Sequence, residues 1–371
     1  GPTLAFKDVA MQLLGNFYEF YLSKNSKNIN IIVATSGDTG AAAIDAIKGK
    51  KNVNIFVLHP HNKVSPVQRK IMSTVKENNV FNIAIEGNFD DCQNLVKAMF
   101  ADKDFSNSIN MSGVNSINWA RIIAQAVYYF YTYFLIKDKK SINFSVPTGN
   151  FGDVYAGYLS KKMGLPINKL IVATNKNDIL HRAISTGKYE VETVFETNSP
   201  SMDIQVASNF ERLIYDLNDF DDIETKDVMI KIKDEGKYIF AKNRLEKIRK
   251  DFLSESMNEE EVIETIRNIY NKYKVILDPH TAIGLGALNK INIEGDNIVL
   301  ATAHPCKFPD AIDKSISIKP SLPSELQYIM DKKEYYDIVP NNVSKTKQYI
   351  KDKLKWSWEK MKIFLVLIFL S

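Results

Sequence analysis

The sequence predicts an α/β protein made of two doubly wound lobes, each with a mostly parallel sheet. Short runs rich in Val and Ile alternate along the chain with segments of helical periodicity. This alternation is typical of parallel strands joined by crossover helices that cover both faces of a sheet. Hydrophobic residues make up 45% and charged residues 25% of the 371 residues, which excludes a disordered chain and a collagen-like fibre.

The alternating elements follow one another in a regular order. Strands are predicted at 31–35, 54–58 and 81–86, and helices follow them at 41–48, 66–76 and 90–100. A long helix at 117–136 contains the run YYFYTYF, whose aromatic side chains lie on all sides and predict a buried helix. Strands at 142–146 and 170–173, separated by a helix at 153–163, and a strand at 298–302 complete the pattern.

Residues 216–273 interrupt this alternation, because they are charged and helix-rich and lack a convincing strand pattern. The clearest helix begins after Asn258, a favoured N-cap residue, and the acidic residues 259–261 complement the helix dipole. We therefore expect 1–29 to be a lysine-bearing segment, 30–120 a smaller lobe, and 121–325 a larger lobe with 216–273 as a helical elaboration.

The last part, 326–371, is predicted to be a C-terminal segment with an atypical tail. Its run IFLVLIFL, 363–370, is too short to cross a bilayer as a helix. We interpret it as a frameshifted or misread terminus in preference to an interfacial anchor. Because the chain begins at Gly1 and reaches candidate chemistry within a few residues, we also expect it to be a fragment whose natural N-terminus is missing.

Charge and cysteine content exclude several classes of protein. Lys and Arg number 48 and Asp and Glu 44, so the net charge is +4, and the basic residues are scattered. This balance argues against nucleic acid as a partner. Cys92 and Cys306 have no metal-binding or redox spacing, which favours a reducing compartment. We expect a cytoplasmic protein without a metal or a membrane partner, and the sequence does not indicate its oligomeric state.

Three strand-to-helix turns carry small and polar residues. They are ATSGDTGAAA at 34–43, VPTGNFGDVYAG at 146–157 and ATAHPCKF at 301–308. Glycines let a ligand approach the backbone, and the N–H groups at the start of the following helix favour an anion. A single turn of this kind is also compatible with tight packing. The three together predict that the protein binds several anionic groups.

Lys7 lies near the start of a predicted helix whose apolar side carries Val9, Leu13, Phe17 and Phe20. A lysine there faces the positive end of the helix dipole, and local mismatches of this kind are often functional. Apolar neighbours would lower the pKa of its amine, as a Schiff-base nucleophile requires. An ordinary solvated lysine is the alternative. A lysine combined with a phosphate-binding turn is the minimum that pyridoxal phosphate needs.

Five motifs in register resemble the threonine synthase family of the bacterial and fungal type. They are GPTLAFKD at the N-terminus, ATSGDTG, SINWARI at 116–122, PTGNFGD and ATAHPCKF, and the resemblance extends to about residue 350. It implies a fold type II pyridoxal-phosphate enzyme, of the tryptophan-synthase β fold, with the cofactor between its two lobes. The implied reaction converts O-phospho-L-homoserine and water into L-threonine and phosphate by β,γ-elimination and replacement, in threonine biosynthesis.

The resemblance also implies a role for each motif. Lys7 would be the catalytic lysine that binds the cofactor covalently. The cofactor phosphate would be bound by Gly149, Asn150, Phe151 and Gly152, and the pyridine nitrogen would lie near Thr302. The substrate α-carboxylate would be bound by Thr35, Ser36, Gly37, Asp38 and Thr39. The substrate phosphate, a dianion that favours Arg, Lys and fixed donors, has as its candidates Asn115, Ser116, Asn118, Arg121 and Lys307.

Two alternatives remain open at this point. A phospho-lyase similar to threonine synthase would eliminate phosphate from the same substrate and release 2-oxobutyrate and ammonia. A non-catalytic or truncated homologue would bind the ligand without turnover, although a pure binding protein has no need of Lys7.

Overall fold

A computed structural model describes residues 1–137 and 141–368 of the chain. The side chains of 356–371, and with them the apolar run 363–370, lie outside the described part. Within the described residues, the alternation of strands and helices confirms the α/β class. No helix among these residues is both long and apolar enough to span a membrane.

Each strand and helix placed by periodicity is present, with ends that differ by a few residues. Up to residue 135 the elements are α1 (Lys7–Asn25), β1 (Ile29–Ala34), α2 (Asp38–Ile47), β2 (Val53–Pro60), α3 (Pro66–Ser73), β3 (Val80–Glu86), α4 (Phe89–Ala101), α5 (Lys103–Ser108), β4 (Met111–Ser112) and α6 (Trp119–Leu135).

From residue 142 onward the elements are β5 (Ile142–Pro147), α7 (Gly152–Lys162), β6 (Ile167–Thr174), α8 (Ile179–Thr186), β7 (Lys188–Glu190), α9 (Phe210–Leu217), α10 (Asp222–Glu235), β8 (Lys237–Ile239), α11 (Lys242–Asp251), β9 (Phe252–Ser256), α12 (Glu259–Tyr273), α13 (Pro279–Ile291), β10 (Asp296–Val299), α14 (Pro309–Ile316), β11 (Asp337–Pro340) and α15 (Val343–Ile368).

The chain divides into two compact units. The first comprises Gly1–Thr3, Met11–Asn115 and Pro323–Ser371, and the second comprises Leu4–Ala10 and Ser116–Leu322. The first unit holds a parallel sheet in the order β11-β3-β2-β1-β4. Its central strands are buried on both faces, since α2 and α3 pack together near β2 while α4 packs on β1 and β2.

The second unit holds a parallel sheet in the order β10-β5-β6-β9 and a small antiparallel pair of β7 and β8. Its core is aromatic: the ring of Tyr129 on α6 lies 4.8 Å from that of Phe144 on β5, and Phe151 packs against Phe210 and Phe252. The carboxyl ends of β5 and β10 lead directly into two of the three polar turns.

The prediction that 216–273 contains no strand is wrong, because β8 and β9 lie within it. The sequence of β9, FLSES, has no run of apolar residues. As an edge strand it needs only Phe252 in the core, so its remaining residues are polar or half-buried. The predicted helix after Asn258 is confirmed, with Asn258 and Glu261 forming a reciprocal capping box.

The prediction that the long aromatic helix is buried is also wrong. One face of α6 packs on α7, where Ile122 and Tyr129 are fully buried. The opposite face exposes Tyr131 by 65% and Phe134 by 71%. The apolar side of α1 is similarly open, with Phe20 exposed by 69%. Apolar residues on all sides of a helix therefore did not indicate burial on all sides in this chain.

Candidate active site

The residues that precede Lys7 are held in place by backbone hydrogen bonds. Lys7 is the first residue of α1. The N–H of Phe6 donates to the carbonyl oxygen of Thr302 at 2.9 Å, and the N–H of His304 donates to the carbonyl of Leu4 at 3.1 Å. This short antiparallel pairing fixes the start of α1 directly beside the third polar turn.

A second contact holds the same segment from another side. Tyr128, on α6, donates its hydroxyl hydrogen to the carbonyl oxygen of Phe6. Burial raises the pKa of this tyrosine well above its usual value, so it remains a donor at any physiological pH. Phe6, the residue before Lys7, is thus held through its N–H by Thr302 and through its carbonyl by Tyr128.

Thr302 has a buried hydroxyl that makes no hydrogen bond to any described residue. Its backbone, in contrast, is fully used, because its N–H donates to Thr281 Oγ1 at 3.2 Å and its carbonyl accepts from Phe6. A buried polar atom without a partner is costly unless a ligand satisfies it. The hydroxyl therefore fits a neutral partner for a ring nitrogen, as expected for pyridoxal phosphate.

The turn 149–152 has the form of an anion cradle. Phe151 adopts φ 63° and precedes the first residue of α7. Among the described residues, no protein acceptor takes a hydrogen bond from the N–H groups of 149–152. A Cβ at Gly149 would lie 2.8 Å from the carbonyl oxygen of Ser201, so a glycine is required there. Open N–H groups at a helix start suit a phosphate group.

Two residues that sequence analysis missed hold this turn. Ser208 Oγ donates to Asn150 Oδ1 at 3.0 Å, and Asn209 Nδ2 donates to the carbonyl of Asn150 at 3.1 Å and to that of Ser116 at 3.0 Å. Asn209 is completely buried. The available signal was the polar pair of residues 208–209 between the apolar residues Ala207 and Phe210.

Asp153 is a buried carboxyl beside the cradle. Burial raises its pKa from 3.8 to about 7, against the opposing effects of a hydrogen bond from Tyr129 and the charge of Lys7. The Tyr129 hydroxyl donates to the Asp153 carbonyl at 2.8 Å, whereas Asp153 Oδ2 has no partner among the described residues. A group that titrates near neutrality within the electrostatic reach of Lys7 is suited to proton exchange.

The second unit also buries the two cations predicted for the substrate phosphate. Arg121, in the first turn of α6, is 4% exposed, and Lys307 is completely buried. Burial lowers the pKa of Arg121 to about 10, which leaves it charged at neutral pH. Asn118 is the N-cap of α6 and accepts from the N–H of Ala120 at 3.0 Å, so its side chain shapes the helix start.

The turn 35–39 and Asn115 belong to the first unit. Thr35 Oγ1 accepts from the N–H groups of Gly37 and Gly40, both at 2.9 Å, and Asp38 Oδ1 accepts from Gln68 Nε2 at 3.0 Å. Gly37 has φ 140°, a conformation that favours glycine. Two predicted binding side chains, Thr35 and Asp38, therefore shape the turn itself.

The hydroxyls of Ser36 and Thr39 in this turn donate to no described residue, and both side chains are half-buried. They remain available to a ligand of the turn. Asn115 is exposed. The described residues contain no group of His, Cys, Asp or Glu side chains that could hold a metal ion.

Family models and relatives match most of the chain. Residues 1–240 match the family described as "Pyridoxal-phosphate dependent enzyme", and residues 281–350 match "Threonine synthase, C-terminal". The chain is 47% identical over 354 residues to the threonine synthase of Pseudomonas aeruginosa, covering 94% of this chain and 76% of the relative. For the threonine synthase of Saccharomyces cerevisiae the identity is 44%, covering 95% of this chain and 76% of the relative.

A solved structure, that of pyridoxal-phosphate-bound threonine synthase from Brucella melitensis, matches with a TM-score of 0.92 and 45% identity, covering 95% of this chain and 76% of that one. The α/β fold and the site thus define a pyridoxal-phosphate-dependent enzyme of fold type II. Within this class, the chain belongs to the threonine synthase family.

Replacing Gly149 by Ala is expected to weaken pyridoxal-phosphate binding by at least about tenfold, because the new Cβ would push the cradle away from Ser201. The control is Gly49→Ala, where a φ of 70° adds backbone strain that Gly149→Ala does not have, while the new Cβ would meet only Glu77 Oε2 at 4.0 Å. Fluorescence titration with the cofactor measures both. Equal affinities in the two variants would contradict the assignment.

Asp153→Asn is expected to change how stability depends on pH. Between its unfolded pKa of 3.8 and its folded pKa of about 7, Asp153 binds a proton only in the folded chain, so its contribution to the free energy of unfolding falls as pH rises. The variant has no titrating group at this position. Above this window, its free energy of unfolding should therefore have risen relative to that of the unmodified chain by roughly 4 kcal/mol at most.

The measurement is denaturant unfolding of the cofactor-free chain from about pH 4 to about pH 8. Asp227→Asn, at an exposed carboxyl, is the matched control and should leave the pH dependence unchanged. Parallel pH profiles for Asp153→Asn and the unmodified chain would refute the raised pKa.

Proposed function

We propose that the protein converts O-phospho-L-homoserine and water into L-threonine and phosphate, in the cytoplasm. The observation that carries the proposal is the backbone pairing of the Lys7 segment with Thr302, in the unit that also contains the open turn 149–152. Membership of the threonine synthase family supports the same reaction. The buried free thiols of Cys92 and Cys306 are consistent with a reducing compartment.

The cofactor-binding residues divide their tasks. The N–H groups of Gly149, Asn150, Phe151 and Gly152 hold the cofactor phosphate, and the hydroxyl of Thr302 meets the pyridine nitrogen. Once bound through Lys7, pyridoxal phosphate would take up the electron pair that remains on carbon when a proton next to the substrate amine is removed. A neutral hydroxyl at the ring nitrogen, instead of a carboxylate, leaves that nitrogen largely unprotonated.

Lys7 is the proposed acid and base of the reaction. When the substrate amine takes its place, its Nζ is free to accept the α-proton and to hold it close to the reacting carbons. Asp153 lies within the electrostatic reach of Lys7, whose charge lowers the pKa of this carboxyl against the larger, raising effect of burial.

Substrate recognition is assigned to two sets of residues. Arg121 and Lys307 neutralise the substrate phosphate, and the side chains of Asn115, Ser116 and Asn118 supply fixed polar groups. The α-carboxylate is bound by the turn Thr35, Ser36, Gly37, Asp38 and Thr39, whose helix α2 begins at Asp38 and offers N–H groups to an anion.

Borohydride reduction of the cofactor-loaded protein, followed by peptide mass mapping, tests the proposal. The expected result is a pyridoxyl group on Lys7. Lys7→Ala should lose both label and turnover, whereas Lys24→Ala, at the exposed other end of α1, should retain both. A label on another lysine would overturn the assignment.

Product analysis then distinguishes the outcomes. Incubation with O-phospho-L-homoserine should release threonine and phosphate in equal amounts. Release of 2-oxobutyrate and ammonia would instead identify a phospho-lyase, and binding without product would identify a non-catalytic protein.

A further inference from the structure

The start of α13 contains a buried polar cluster that none of the roles above uses. Asp278, 1% exposed, is the N-cap of this helix and accepts from the N–H groups of His280 at 3.0 Å and Thr281 at 3.4 Å. Its carboxylate also accepts from the Thr281 hydroxyl and lies 3.0 Å from His280 Nδ1. One carboxylate thus orients two neighbouring side chains.

The first of these side chains leads to the ring end of the cofactor site. Because the Thr281 hydroxyl donates its hydrogen to Asp278, its lone pairs are left to accept the N–H of Thr302 at 3.2 Å. The carbonyl of Thr302 in turn accepts from Phe6, next to Lys7. Asp278 therefore acts through Thr281 on the backbone of Thr302 and on the lysine segment.

The second side chain, His280, is connected through Ser201 to the turn proposed to bind the cofactor phosphate. His280 Nε2 accepts from the N–H of Ser201 at 3.4 Å, so the ring proton is assigned to Nδ1, facing Asp278. The carbonyl of Ser201 is the atom that a Cβ at Gly149 would approach to 2.8 Å. The ring of His280 is further fixed by Phe308, at 4.8 Å between centroids.

We propose that Asp278 is a positioning residue that sets the spacing between Thr302 and the phosphate turn, with Thr281 and His280 as its two arms. The Thr281 arm aligns the ring end of pyridoxal phosphate, and the His280 arm aligns its phosphate end. The proposal rests on the proposed function, because it uses the roles assigned there to Thr302 and to 149–152.

Two probes separate the arms: pyridoxal phosphate, and pyridoxal, which lacks the phosphate. Thr281→Val keeps the shape of the side chain and the cap but removes the hydroxyl. It should weaken the binding of both probes by about tenfold and shift the visible absorption maximum of the bound cofactor, because the N–H of Thr302 loses its hydrogen bond to Thr281. Thr281→Ser should restore both properties.

His280→Phe keeps a ring against Phe308 but removes both hydrogen bonds. It should weaken the binding of pyridoxal phosphate by about tenfold and leave the binding of pyridoxal unchanged. Asp278→Asn retains a good N-cap residue but presents a donor to one of its two arms, and should weaken the end of the cofactor that this arm aligns. The matched control is Thr265→Val on α12, whose hydroxyl donates to the carbonyl of Glu261 at 2.8 Å and makes no hydrogen bond to Asp278, His280 or Thr281.

Melting temperatures of the cofactor-free chains provide the second measurement. Support requires that Thr281→Val and Thr265→Val shift the melting temperature by similar amounts while only Thr281→Val changes cofactor affinity and absorption. Unchanged binding in Thr281→Val, or equal losses in both variants, would overturn the proposal. If the unmodified protein is not labelled on Lys7 by borohydride, the proposed function itself fails, and the two failures are thereby distinguished.

Discussion

The hydrogen bond from the Phe6 N–H to the Thr302 carbonyl is the constraint on which the candidate active site depends. It joins segments near opposite ends of the sequence, so the entropy of closing a long loop must be recovered elsewhere. The carbonyl contact from Tyr128 and the pairing of His304 with Leu4 contribute to that recovery. Local helix-forming preference in α1 cannot determine where Lys7 lies, whereas these contacts do.

The second unit buries groups that are costly to remove from water. Asp153, Arg121 and Lys307 are all at least nine-tenths buried, and the hydroxyl of Thr302 has no partner among the described residues. Two of these oxygens, Asp153 Oδ2 and Thr302 Oγ1, have no partner among the described residues, and such atoms lower the stability of the folded chain unless a ligand satisfies them. Binding of a ligand that satisfies these oxygens therefore stabilises the folded chain.

Much of the fold was predictable because short-range sequence patterns indicate most of its strands and helices. Strand and helix periodicity located each α/β element named in the sequence analysis, and Gly149 and Gly152 marked the cradle. The partners of the cradle were not predictable, since Ser208 and Asn209 reach it through contacts across some 60 positions of sequence. The strand β11 was missed because it has only four residues and pairs with the distant β3.

The start of α13 illustrates both sides of this limit. Asp278 followed by proline is a helix-start signal that can be recognised in sequence, but its hydrogen-bonded partners cannot. The described partners of the buried carboxylate are neutral donors at the positive end of a helix dipole, which stabilises the charge without a lysine or arginine. A buried anion held in this way does not compete for the cations that an incoming phosphate requires. We therefore infer that the helix dipole of α13 allows the buried carboxylate of Asp278 to lie in the same unit as the buried cations of Arg121 and Lys307.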